Sequence, residues 1–131
     1  MTDEEKLREV IAYWLEKARE SLAAAHAEMT AHRFSFAVNR IYYACFYAVS
    51  AVLLKKGFQF KKHSGVRASF HKHLVKSGLV SHENGALYDE LFEARQRGDY
   101  IELVTFDKNE VEDWLKRAED FIEAFSLLIR K

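Results

Sequence analysis

No proline occurs anywhere in the 131 residues, and only five glycines and one cysteine do. Without proline the chain carries no built-in helix breaker, so long uninterrupted helices are allowed. A single thiol, Cys45, can close no intramolecular disulfide, and in its apolar run a free cysteine is a small core hydrophobe. No Cys-x-x-Cys pair exists. His71 and His73 are two positions apart and would diverge on a helix, so no metal site is expected. Net charge is missing too: 20 Lys and Arg balance 20 Asp and Glu, which gives the protein as a whole no pull toward a polyanion. Thr2 to Arg8 are mostly charged, so there is no early apolar run of the signal-peptide kind. The longest apolar stretch, 34–54, is broken by Ser35, Asn39, Arg40 and Ser50, which fits a core helix rather than a membrane span. The expectation is one soluble, cytoplasmic domain over residues 1–131, with no membrane association and no cofactor.

What is present is helical periodicity. Leu7, Val10, Ile11, Trp14, Leu15, Ala18, Leu22, Ala25 and Met29 recur at three- and four-residue steps, predicting a first helix of six to seven turns. A second helix is predicted over 36–56, apolar nearly all round, as suits a helix enclosed by neighbours or by a second subunit. Ser64 is the expected N-cap of a shorter helix closing near Gly78, and Ser81 or His82 opens a fourth that closes near Gly98. All five glycines are read as helix ends. Residues 100–106 are expected to form an extended loop. Asp107 with Glu110 then forms a capping box for a last helix with a stripe from Val111 to Ile129. The predicted fold class is all-α: an up-and-down antiparallel four-helix bundle with one additional short helix.

Function has to be sought in polar residues placed where the pattern calls for apolar ones. Asn39 and Tyr43 share a face of the second helix, with Arg40 beside them; an Arg and an Asn set in so apolar a helix need polar company. Arg95, Asp99 and Tyr100 cluster at the end of the fourth helix. One reading is an internal network in which Arg40 pairs with Asp99 and Arg95 with another acid. The other is a cleft lined by Arg40, Tyr43, Arg95 and Tyr100, offering guanidinium groups to phosphate and aromatic faces to a base. The segment 55–76 holds seven Lys or Arg, three His and no acid, a basic band suited to a polyanion or an acidic partner, or else a solvated loop. Within it His63 precedes a helix start, where a phosphate would meet backbone N–H groups.

The blocks Asn39-Arg-Ile-Tyr-Tyr-Ala-Cys-Phe46, Lys62-His-Ser-Gly-Val66 and Arg95-Gln-Arg-Gly-Asp-Tyr100, in that order and spacing, resemble the small stand-alone proteins of the HEPN superfamily. The resemblance spans nearly the whole chain. It implies a bundle of four to five helices, commonly a homodimer with a polar cleft near its axis, and a minimal nucleotidyltransferase as partner in a toxin–antitoxin-type module. It also implies a nucleotide or RNA as ligand. The enzymatic branch of the superfamily, metal-independent endoribonucleases, carries an Arg, four to six intervening residues and a His. Arg40, Arg95 and Arg97 have no such His; two pairs fit the spacing. Arg19 with His26 lies on the charged face of the first helix, read as solvated; Arg67 and His73, with five residues between them, are the candidate catalytic pair. Three functions follow: a non-catalytic binding module using Asn39, Arg40, Tyr43, His63, Arg95, Asp99 and Tyr100; an endoribonuclease toxin; and a purely structural dimerisation domain.

Overall fold

The computed structural model describes residues 1–100 and 104–131, and the side chains of these residues except Tyr100. Helix α1 (Asp3–Thr30) opens at Thr2, whose hydroxyl accepts the Glu5 amide at 3.1 Å, and three acids in its first turn complement the helix dipole. The turn into α2 (Phe34–Lys55) places His32 at φ 58°, and Arg33 closes it with a 2.7 Å bond to Glu28.

Helix α2 is long and apolar enough to cross a membrane by length and composition, but 61% of its most apolar window is buried inside the bundle. It touches α1, α3, α4 and α5. Both α1 and α2 bury alanines (Ala18 and Ala25, then Ala37, Ala44, Ala48 and Ala51), side chains small enough to let two helix axes approach closely.

Helix α3 (His63–Phe70) begins earlier than expected, with Lys62 rather than Ser64 at the N-cap and no side-chain cap bond. It continues through a π-helical turn at His71–Val75, in which Lys76 N–H reaches back to the His71 carbonyl at 2.9 Å. Helix α4 (His82–Tyr100) is capped by Ser81, which accepts the Asn84 amide at 3.1 Å, and it runs through Gly98 instead of stopping there. Helix α5 (Lys108–Arg130) starts at Asp107, which accepts the Glu110 amide at 3.3 Å.

The glycines therefore divide. Gly57 and Gly78, at φ 91° and 86°, end helices in the left-handed region as expected. Gly65, Gly85 and Gly98 lie inside helices, and a Cβ there would come within 3.3 Å of Phe60, 3.3 Å of Val75 and 3.2 Å of Phe106. Close packing, not turn geometry, accounts for them. Of the expected loop, 101–103 lie outside the described residues, while Val104 to Asp107 have no regular structure and no strand occurs among the described residues.

The core is aromatic at its centre: Tyr42, Tyr88, Phe70, Phe121 and Phe125 are fully buried, and the last two stack at 4.3 Å. Polar contacts tie the bundle from outside. Arg19 donates to Ser126 (3.1 Å) and His26 meets Glu119 (2.8 Å), joining α1 to α5. Arg117 meets Glu90 (3.0 Å), joining α5 to α4. This is the all-α bundle the periodicity predicts.

Candidate functional site

Helical spacing puts Asn39, Arg40 and Tyr43 on one side of α2, partly exposed, while Tyr42 turns inward and is wholly buried. The last turns of α4 bring Arg95 against this surface. Its guanidinium lies 4.8 Å from the Tyr42 ring centre and 5.6 Å from that of Tyr43, and it donates to the Tyr43 hydroxyl at 3.2 Å. One turn on, Asp99 approaches it at 3.7 Å. The side chain of Arg95 is only 11% exposed, and its Nε is buried without a partner among the described residues. Arg40 approaches the Tyr43 ring as well, at 5.0 Å, and donates from Nε and Nη2 to Asn39 Oδ1 at 3.1 and 2.7 Å.

The third contribution comes from the first residue of α3. His63 stacks on Phe46 at 4.4 Å, meets the Tyr43 ring edge-on at 5.6 Å, and places Nδ1 2.7 Å from the Tyr42 hydroxyl. Burial, and next the positive charge of Arg95, hold its pKa below the usual imidazole value. Burial pushes the Tyr42 hydroxyl the other way, up to about 12. Tyr43 is thus the common wall of the site, touched by Arg40, Arg95 and His63. Two guanidinium groups and an imidazole gather at one tyrosine ring, with Asp99 in contact with Arg95 alone among them.

The structure corrects the expected pairing. Asp99 pairs with Arg95, its neighbour one turn away, and Arg40 is held by Asn39 and Tyr43; among the described residues no carboxylate meets Arg40. Of the proposed cleft residues, Asn39, Arg40, Tyr43, His63, Arg95 and Asp99 come together. The side chain of Tyr100 lies outside the described residues.

Arg67 and His73 are drawn to different partners. Arg67 binds Asp89 (2.8 Å) and Glu93 (3.6 Å) and lies over the Phe92 ring at 4.4 Å. His73, within the π-helical turn, stacks on Phe58 at 4.1 Å. The imidazole that does share a partner with Arg67 is His71, also 2.8 Å from Asp89. That carboxylate is clamped: burial alone would raise its pKa, but hydrogen bonds from His71 and Arg67 outweigh burial and lower it.

Sequence reasoning passed over Tyr42 and Phe46, which hold His63. Both lie in the polar block already singled out, and the four-residue step from Tyr42 to Phe46 was the available signal. A groove of about 620 Å³ lies elsewhere, at the end of α2, lined by Lys56, Phe58, His73 and Leu128 among others.

The second helix thus carries an amide, a guanidinium and paired tyrosines toward the end of the fourth in an all-α bundle. The chain belongs to the HEPN family: the HEPN domain matches residues 11–128. It is 49% identical over 129 residues to a UPF0332 protein of Thermotoga maritima, covering 98% of this chain and 96% of that one. Two proteins of Methanocaldococcus jannaschii described as candidate toxins are also similar. One is 37% identical over 108 residues, 82% of this chain and 74% of its own length. The other is 31% identical over 128 residues, 95% and 92% of the two chains.

Proposed function

We propose that this HEPN protein is a non-catalytic binding component of a toxin–antitoxin-type module, taking up a nucleotide or RNA at the surface built by Arg40, Tyr43, His63 and Arg95. The observation that carries this reading is the convergence of Arg40, Arg95 and His63 on one tyrosine ring, at 5.0, 5.6 and 5.6 Å. Guanidinium donors suit phosphate oxygens, and the rings of Tyr43 and Phe46 suit a base. The two relatives described as candidate toxins support a toxin-like setting, and the partner is then a minimal nucleotidyltransferase. Leu7, Val10 and Tyr13 of α1, 39, 43 and 55% exposed, support self-association into a homodimer.

The test is binding of a fluorescent oligoribonucleotide, with a parallel incubation in chelator to look for cleavage. Binding that weakens in Arg40→Ala and in Arg95→Ala, without strand scission, is the expected result. Metal-free cleavage lost in Arg67→Ala or His73→Ala would instead make the protein an endoribonuclease. No binding, with substitutions that change only assembly, would leave a structural dimerisation domain.

A further inference from the structure

We propose that Tyr42 fixes the tautomer of His63, so that this histidine presents an Nε2–H donor to a phosphate oxygen and has no lone pair free to act as a base. This part for His63 rests on the binding role proposed for the surface, and it specifies what the imidazole contributes there.

The proton of Tyr42 has few places to go. The side chain is wholly buried and keeps its phenolic proton across the physiological range. A buried hydroxyl needs an acceptor. Nδ1 of His63, at 2.7 Å, is its one partner of hydrogen-bond geometry among the described residues. A relay in the reverse sense, with His63 donating to Tyr42 and Tyr42 to Tyr88, would need a bond between the two hydroxyls. The Tyr88 hydroxyl lies outside strict hydrogen-bond geometry, and its contact with Tyr42 has the opposite sense: it lowers the pKa of Tyr42 and raises that of Tyr88, as when Tyr88 donates and Tyr42 accepts. Tyr42 therefore donates and Nδ1 accepts.

An imidazole that accepts at Nδ1 and remains neutral must carry its own proton on Nε2. Neutrality is enforced by the surroundings: the rings of Phe46, Tyr42 and Tyr43 face His63 from α2, and the charge of Arg95 acts on it from α4, with no carboxylate touching it among the described residues. Nε2 has no protein partner among the described residues, so its N–H is available to a ligand. Next to Arg95, the complementary ligand atom is an anionic oxygen. A phosphate in a nucleotide or RNA and free inorganic phosphate share that chemistry.

The test uses the full-length ¹⁵N-labelled protein. Long-range ¹H–¹⁵N correlation at neutral pH should show a pyridine-type Nδ1 and a pyrrole-type Nε2 for His63. Tyr42→Phe removes the hydroxyl and keeps the ring. If Tyr42 donates, losing it removes support for the neutral form, and the His63 titration midpoint moves up by roughly 0.5 to 1 pH unit. If Tyr42 accepts, the midpoint moves down, and the inference is overturned. Tyr88→Phe should leave the ¹⁵N pattern unchanged; a change of tautomer there would restore the relay and equally overturn it.

A ligand arm separates this outcome from the wider reading. An oligoribonucleotide that perturbs Nε2–H, where inorganic phosphate at the same phosphate concentration does not, supports a nucleic-acid phosphate; equal effects make free phosphate the source. Absence of any perturbation, with the tautomer as predicted, overturns the binding role while the Tyr42–His63 bond stands.

Discussion

Arg95 sits over the ring of Tyr42 at 4.8 Å, so a cation of α4 rests on a buried aromatic of α2. Contacts of this kind strengthen as water is excluded. Arg95→Met keeps an apolar stem against the rings and removes the charge. Two results are expected together: oligonucleotide affinity falls roughly tenfold or more, and the His63 titration midpoint rises because the nearby positive charge is gone. Fluorescence anisotropy and NMR titration read the two effects. An unchanged His63 midpoint would show that Arg95 does not act on the imidazole.

His63 should also leave a mark on stability. In the unfolded chain it titrates near pH 6.5, roughly, and in the folded protein lower, through burial and Arg95. Between the two values the unfolded state binds the extra proton, so stability must fall as pH drops from about 7 into that window. Urea unfolding at about pH 7.5 and about pH 5.5 should show a larger loss in the parent than in His63→Gln. Equal losses would remove His63 as the cause.

Asp89 ties two segments at once, through Arg67 of α3 and His71 of the π-helical turn, both at 2.8 Å. Its lowered pKa means that the stability it supplies is complete above the ordinary carboxylate range and disappears as pH falls through the folded value. Asp89→Ala should cost about 1 kcal/mol at neutral pH, a partly exposed pair being screened by solvent. Thermal unfolding checks this, and a variant as stable as the parent would show that the clamp is ornamental.

Much of the fold was legible because its signals are local. The stripe from Val111 to Phe125 and the Asp107 cap depend on residues a few positions apart, and both appear in α5. The polar block on α2 was legible for the same reason. Pairing between helices was not. Helical spacing alone could have given Asp99 to Arg95, four residues back on α4; what it could not show is that α4 lays Arg95 over Tyr42 and Tyr43 of α2. Nor could spacing tell which adjacent tyrosine faces inward: Tyr42 and Tyr43 differ by about 100° around the helix, and tertiary packing buries the former. The glycines inside α3 and α4 misled because a residue chosen for its small size looks, in sequence, like one chosen for its backbone freedom.

Gly78 offers a test of that distinction. With φ at 86° and nothing within 4 Å of an added methyl, its role is backbone conformation alone. Gly78→Ala should destabilise by about 1 kcal/mol, through left-handed strain and without a clash. An unchanged denaturation midpoint would mean that the turn readily adopts another geometry.

His73→Ala should leave oligonucleotide affinity unchanged, since this imidazole stacks on Phe58, away from the residues around Tyr43. A loss comparable to that of Arg95→Met would place the ligand on the basic band instead.

Arg40, His63 and Arg95 lie on three different helices, brought together only where α3 and α4 dock on α2. No fragment of the chain owns that surface. If the proposed anion binds there, it bridges three helices at once and stabilises only the finished molecule.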